Sequence, residues 1–330
     1  MKLGTLDIAN RYVLAPMQNV TTAPFRRFLR KFQEIGLVSV PMLYTKRIAS
    51  YPNSIAHELS KIEDEKPISV QIIGRDLDAL KKSIDYLESF KFDVLDINAG
   101  CPSRRAINAK EGGYLMKDLK RLEEILRVAV KNSSKPVSLK IRTGFNKPMD
   151  YGDLYKILNN SGITFLTVHA RTVKSKFHSS SLDLKTLRKI KDLLTIPIVG
   201  NGDITSVLSA KNFVEQTDVD ALMIGRETMG NPKIFQHIHE YFTNKKITPS
   251  LNNLELIEYY ITIYEEFIDD FLIDLTLPKG NEQYKFNELK RNSIWLTNNV
   301  RDSTKIRTQL SKTKNLKQLK SKLKETFTNS

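Results

Sequence analysis

Short apolar runs rich in β-branched residues recur along the chain at Tyr12–Ala15, Leu37–Val40, Ile68–Ile72, Val94–Ile97, Val137–Ile141, Phe165–Val168, Ile196–Val199 and Ala221–Ile224. A stretch with helical spacing of apolar positions follows each, and this alternation predicts parallel βα units. Eight units suit a closed (β/α)8 TIM barrel better than an open sheet, because doubly wound sheets usually stop at about five or six strands. After Pro24 the stripe Phe25, Phe28, Leu29, Phe32 predicts a first helix packed on the barrel. The last barrel helix is expected over Pro232–Phe242. Residues 243–253 then read as a linker. From Leu254 the spacing Leu254, Ile257, Ile261, Tyr264, Ile268, Phe271 opens a small all-helical domain over 254–330. Trp295 is expected in its core rather than as a stacking platform.

Composition agrees with a barrel carrying an extra module, since the chain has 330 residues and a (β/α)8 barrel takes roughly 250. No stretch approaches the roughly 18 uninterrupted apolar residues of a membrane span. Asp7 and Arg11 interrupt the N-terminus before an apolar run forms, so no secretory signal is expected and the address reads as cytoplasmic. With one cysteine the chain can form neither an internal disulfide nor a CxxC metal cage, and no metal is expected.

The formal charge of +15 fits either a polyanionic partner or a lysine-biased composition. Its distribution separates the two. From Asn281 onward twelve Lys or Arg face four acids, a net +8 in fifty residues, which is clustering and points to a polyanionic partner. Monomer is the favoured oligomeric state.

In a (β/α)8 barrel the functional face forms at the C-terminal strand ends. The sequence places Pro16-Met17, Gln71, Asn98, Cys101, Lys140, Arg142, His169, Arg171, Asn201-Gly202-Asp203 and Gly225-Arg226 there. A barrel serving only as scaffold needs no such mixture. The loops after strands 7 and 8, Gly200–Asp203 and Ile224–Arg226, fit a phosphate, although a GNGD turn also serves plain helix capping. Cys101 is either a buried small hydrophobe or a proton donor, and Gly100 and Pro102 on either side favour the donor. Lys140, within the apolar strand Val137–Ile141, would be costly to bury unpaired and so is expected to face an anion or electron-rich ring in the barrel mouth. His57, His237 and His239 read as surface residues.

The motifs Leu14-Ala15-Pro16-Met17 with Pro24-Phe25-Arg26, Gln71-Ile72-Ile73-Gly74, Asn98-Ala99-Gly100-Cys101-Pro102, Lys140-Ile141-Arg142, His169-Ala170-Arg171-Thr172, Gly200-Asn201-Gly202-Asp203-Ile204 and Ile224-Gly225-Arg226 resemble, in order and spacing, those of the tRNA-dihydrouridine synthase family. The resemblance spans residues 1 to about 242, and the helical tail is similar in position and character to that family's RNA-binding domain. It implies an FMN-bearing barrel in which Pro16, Met17 and Gln71 hold the isoalloxazine ring, with Gln18 beside them. Lys140 and His169 would lie along the ring, and Asn201, Gly202, Asp203, Gly225 and Arg226 would bind the phosphate. It further implies hydride transfer from the flavin to C6 of a tRNA uridine, proton donation from Cys101 to C5, and a uracil oriented by Asn98, Arg142 and Arg171. NADPH or NADH would be the reductant. A nicotinamide that visits the flavin in turn needs no GxGxxG motif, and none occurs.

The chain departs from the family pattern at Pro41-Met42, where a Glu-Met pair is usual, at Gln18, and at Lys176-Phe177-His178-Ser179 in place of a Tyr-x-Gly element. These positions surround the substrate mouth and bear on which uridine is chosen. Two readings compete with the synthase. A small-molecule flavin dehydrogenase, such as dihydroorotate dehydrogenase, has no need of the basic tail, and a noncatalytic RNA chaperone has no need of Cys101, Lys140 and Asn98.

Overall fold

The computed structural model describes residues 1–149, 151–248 and 253–328. Its eight-stranded parallel sheet comprises β1 (Tyr12–Leu14), β2 (Val38–Tyr44), β3 (Ile68–Ile73), β4 (Val94–Asn98), β5 (Val137–Arg142), β6 (Phe165–His169), β7 (Ile198–Asn201) and β8 (Ala221–Ile224). Neighbours in sequence pair in space, and β8 pairs with β1 through Leu222 opposite Tyr12. The ring closes where Val13 bridges Leu37 and the Leu14 N–H donates to the Leu37 carbonyl at 2.9 Å. The expected TIM barrel is present. Its strands are apolar on both faces because helices cover the outside while side chains fill the inside.

Proline sets two strand limits that periodicity alone missed. Strand β2 runs past the expected end at Val40 through Pro41, which offers no N–H, so the ladder with β3 breaks after Val40 and resumes at Leu43 opposite Ile72. Strand β7 starts at Ile198, two residues later than expected. Pro197 lacks the donor a ladder needs and contributes only its carbonyl, to the Leu166 N–H at 3.0 Å. Below the strands a short hairpin, Lys2–Leu3 with Leu6–Asp7, sends Leu3 into a core with Val13, Leu37, Val94, Phe165 and Val199. The open end is therefore the other one, where the strands' C-termini lie.

The chain divides into two compact units: residues 1–21 with 34–225, and residues 22–33 with those from Arg226 onward. The second unit contains the helices Ala23–Arg30, Ile234–Asn244, Leu254–Leu272, Asn281–Leu296, Ser303–Ser311 and Leu316–Thr328. Of the expected linker, 249–252 lie outside the described residues, and 243–244 continue the preceding helix. The first helix groups with these C-terminal helices. Phe28 meets Tyr264 edge-on at 5.3 Å and Phe32 meets Tyr260 at 5.2 Å, while Phe25 lies 6.3 Å from Trp295. An apolar stripe shows that a face is buried; it does not show against what. Within this unit the buried Glu288 accepts hydrogen bonds from Tyr264 Oη at 2.6 Å and Thr22 Oγ1 at 3.0 Å and pairs with Arg291. His237, expected at the surface, is buried, and burial holds its imidazole below the usual range. Among the described residues no helix is long and apolar enough to cross a membrane.

Candidate active site

Alternate residues of the strands point into the barrel, and near the C-terminal ends these inward positions are polar: Gln71 on β3, Asp96 and Asn98 on β4, Ser138, Lys140 and Arg142 on β5, His169 on β6 and Asn201 on β7. They are not independent. Asp96 accepts from Gln71 Nε2 at 2.6 Å and from Ser138 Oγ at 2.7 Å. Gln71 Oε1 accepts from Asn98 Nδ2 at 2.8 Å. Asn98 Oδ1 in turn accepts the backbone N–H groups of Gly100 at 3.1 Å and Cys101 at 3.0 Å. The bulge at Pro41 brings Met42 in as well, with its sulfur 3.7 Å from Asn98 Nδ2.

Cys101 leads out of β4, half-buried, with Sγ 3.4 Å from Ser103 Oγ. Three groups hold its loop. Asn98 binds it from below, Arg142 Nε donates to the Gly100 carbonyl at 3.0 Å, and the Gly113 N–H donates to the Cys101 carbonyl at 3.0 Å. The last contact requires glycine. A Cβ at Gly113 would sit 2.8 Å from the Cys101 oxygen, and one at Gly112, whose φ is +56°, would sit 3.0 Å from the Cys101 Cβ. The sequence reading passed over this Gly112-Gly113 pair, as it did Tyr44 at the end of β2, whose ring lies 3.9 Å from the Arg105 guanidinium.

Lys140 Nζ donates to Asn201 Oδ1 at 3.2 Å, and Asn201 Nδ2 donates to the Met223 carbonyl at 2.9 Å. Burial, reinforced by the Arg142 charge and opposed by Asp96 and Cys101, lowers the Lys140 pKa to about 8. Arg142 is buried and also donates to the carbonyls of Thr172 at 3.0 Å and Lys176 at 2.6 Å. Arg171 is fully buried, donates to the His178 carbonyl at 2.8 Å and pairs with Asp203. The residues expected to orient a uracil, Asn98, Arg142 and Arg171, thus have these polar atoms on protein groups that shape the surrounding loops. His169 is buried, with Phe177 6.0 Å away; Phe177 is 49% exposed and its ring lies 5.1 Å from the Arg142 guanidinium.

Pro16 and Met17 are half-buried after β1, whereas Gln18 is exposed on the following turn. The Met17 N–H donates to Thr21 Oγ1 at 3.1 Å, which fixes this segment. Gly202 has φ +141°, and a Cβ there would sit 2.8 Å from Leu182 Cδ1, while a Cβ on Gly225 would come within 3.3 Å of the Ala15 Cβ and the Met17 sulfur, so both glycines after β7 and β8 let the backbone pack closely against its neighbours. Arg226 begins the short turn Arg226–Met229 and falls in the second unit.

The model of the dihydrouridine synthase (Dus) family matches residues 13–330. The chain belongs to the dihydrouridine synthase family. It is 35% identical over 251 residues to tRNA-dihydrouridine synthase B of Pseudomonas aeruginosa, covering 76% of this chain and 75% of that one. With the probable tRNA-dihydrouridine synthase of Rickettsia prowazekii it shares 26% identity over 329 residues, 99% of this chain and 97% of that one. Among solved structures, morphinone reductase aligns with a TM-score of 0.54 at 10% identity over 77% of this chain and 90% of its own, a likeness of fold alone. The dihydrouridine synthase activity is a flavin-dependent reduction of uridine in tRNA. The residues present fit a flavin. A cation sits among the strand ends at Lys140, beside the Asn201 amide that opens the loop after β7.

Proposed function

We propose that the flavin is FMN, that NADPH or NADH reduces it, and that Cys101 protonates the uracil. The observation that carries this reading is the Cys101 loop, fixed at the barrel mouth by Asn98, Arg142 and Gly113. FMN, when bound and reduced, supplies a hydride for C6 of the uracil. Cys101 gives its thiol proton to C5, is left as the thiolate, and regains a proton from solvent before the next turnover. Pro16, Met17 and Gln71 would hold the ring, with Lys140 presenting its ammonium and His169 close by. The backbone of Asn201–Asp203 and Gly225 would receive the phosphate. Asn98, Arg142 and Arg171 serve the substrate by fixing the loops around it. Anaerobic titration tests the cofactor reading: the protein reconstituted with FMN turns yellow and NADPH or NADH bleaches it. Protein that stays colourless with FMN contradicts it.

The low pKa of Lys140 gives a second expectation. Burial disfavours its ammonium, so between pH 7 and pH 9 the charged fraction of the flavin-free protein falls from about nine in ten to about one in ten. FMN affinity therefore declines as pH rises through about 8, and in Lys140→Met it stays level over that window. Parallel curves for parent and variant would remove Lys140 from the flavin site.

For tRNA, the second unit offers a surface cavity of about 570 Å³ lined by Lys312, Lys317 and Lys322 with Gln309, Thr313 and Asn315. Lysines and amides around a groove suit a phosphate backbone, which they would grip while the target uridine leaves its stack. A tRNA substrate also supports the proposed cytoplasmic address.

A further inference from the structure

We propose that Asp96 is a positioning residue for the reaction: its buried carboxylate sets the direction of the Gln71 and Asn98 amides and thereby holds Cys101 in place. A carboxylate only accepts hydrogen bonds, whereas a side-chain amide fits either way round until a neighbour decides. Asp96 decides. Because it accepts from Gln71 Nε2 at 2.6 Å, Gln71 must turn Oε1 toward Asn98. That oxygen takes Asn98 Nδ2 at 2.8 Å, which leaves Asn98 Oδ1 facing the N–H groups of Gly100 and Cys101. Each link runs from donor to acceptor, and reversing either amide sets N–H against N–H at the loop or oxygen against carboxylate at the core.

The direction is also fixed at its origin, since Ser138 Oγ donates to the other Asp96 oxygen at 2.7 Å. Water does not substitute freely for a broken link, because Gln71 is 1% exposed, Asp96 5% and Asn98 7%. Burial pushes the Asp96 carboxyl up, while its two donors and Lys140 pull it back down. The same rule that singled out Lys140 in sequence applies here: an ionisable residue in the apolar run Val94-Leu95-Asp96-Ile97 has a partner to serve.

Asp96→Asn keeps the shape but no longer forbids the reversed network. With saturating tRNA its kcat is expected to fall about tenfold or more, the step of roughly one lost buried hydrogen bond, while KM for tRNA stays at parent level. Asn98→Ala lowers kcat similarly, and the double variant is no slower than the slower single one, because both changes cut one chain. In the flavin-free protein Asp96→Asn also speeds alkylation of Cys101 by iodoacetamide. A kcat within twofold of parent, or single effects that multiply in the double variant, overturns the proposal. Should Asp96→Asn fail to give folded protein, Ser138→Ala, which frees the carboxylate to rotate, takes its place in the same cycle with the same criteria. The inference rests on Cys101 as proton donor, so Cys101→Ala is measured alongside. Full turnover there removes the donor, whereas an inactive Cys101→Ala beside a fully active Asp96→Asn removes only the positioning role.

Discussion

Cys101→Ala is expected to give a yellow protein that a nicotinamide still bleaches but that forms dihydrouridine about a hundred to ten thousand times more slowly, the usual contribution of a positioned general acid. The size follows from the site. Hydride arrival at C6 leaves electron density at C5 that a proton must meet, and the half-buried Cys101 is held at the strand ends by contacts to its neighbours' backbone and its own. Ser103 Oγ, 3.4 Å from the sulfur, is a far weaker acid and a poor substitute. Separate measurement of flavin reduction and of dihydrouridine in the digested RNA checks this, and unchanged dihydrouridine formation would transfer the acid role elsewhere.

Reversing charge at Lys312 and Lys317 together is expected to weaken tRNA binding by roughly ten- to a hundredfold at moderate salt and to reduce the slope of log affinity against log salt by about two. Both side chains are exposed and line the same cavity, so the fold has little reason to respond. Flavin content and thermal stability stay at parent level. Cutting the chain before Leu254 is a poorer probe, because it strips Tyr260 and Tyr264 from Phe28 and Phe32 and leaves an aromatic face in water. Gel shifts over a salt series report the effect; coincident curves for variant and parent would move the tRNA grip off this cavity.

Much of the barrel was legible because parallel strands buried on both faces must be continuous apolar runs, and eight such runs with helical spacers leave few alternatives. The limits at Pro41 and Pro197 depended on which N–H groups the ladder needs, a pairing property that no single strand carries. The first helix shows a sharper boundary: Phe25, Phe28 and Phe32 announced a buried face, but the partner lay more than two hundred residues away at Tyr260 and Tyr264. At the site, residue types revealed Cys101, Lys140 and Asn98, yet not what each one touches. Arg142 and Arg171 look like substrate ligands in a linear string, and only the fold shows Arg142 on loop carbonyls and Arg171 on Asp203. Asp96 carried a readable signal, an acid inside an apolar strand, and its meaning emerged when Gln71 and Ser138 arrived beside it from neighbouring strands.

The central claim, that this barrel reduces uridine in tRNA with Cys101 as the acid, is tested most directly by incubating the purified protein with unmodified tRNA, FMN and NADPH, digesting the RNA and weighing its nucleosides. The account predicts uridine heavier by two hydrogens at a defined position, formed by the parent and almost absent with Cys101→Ala. Yellow protein that consumes NADPH while every uridine keeps its mass would contradict it.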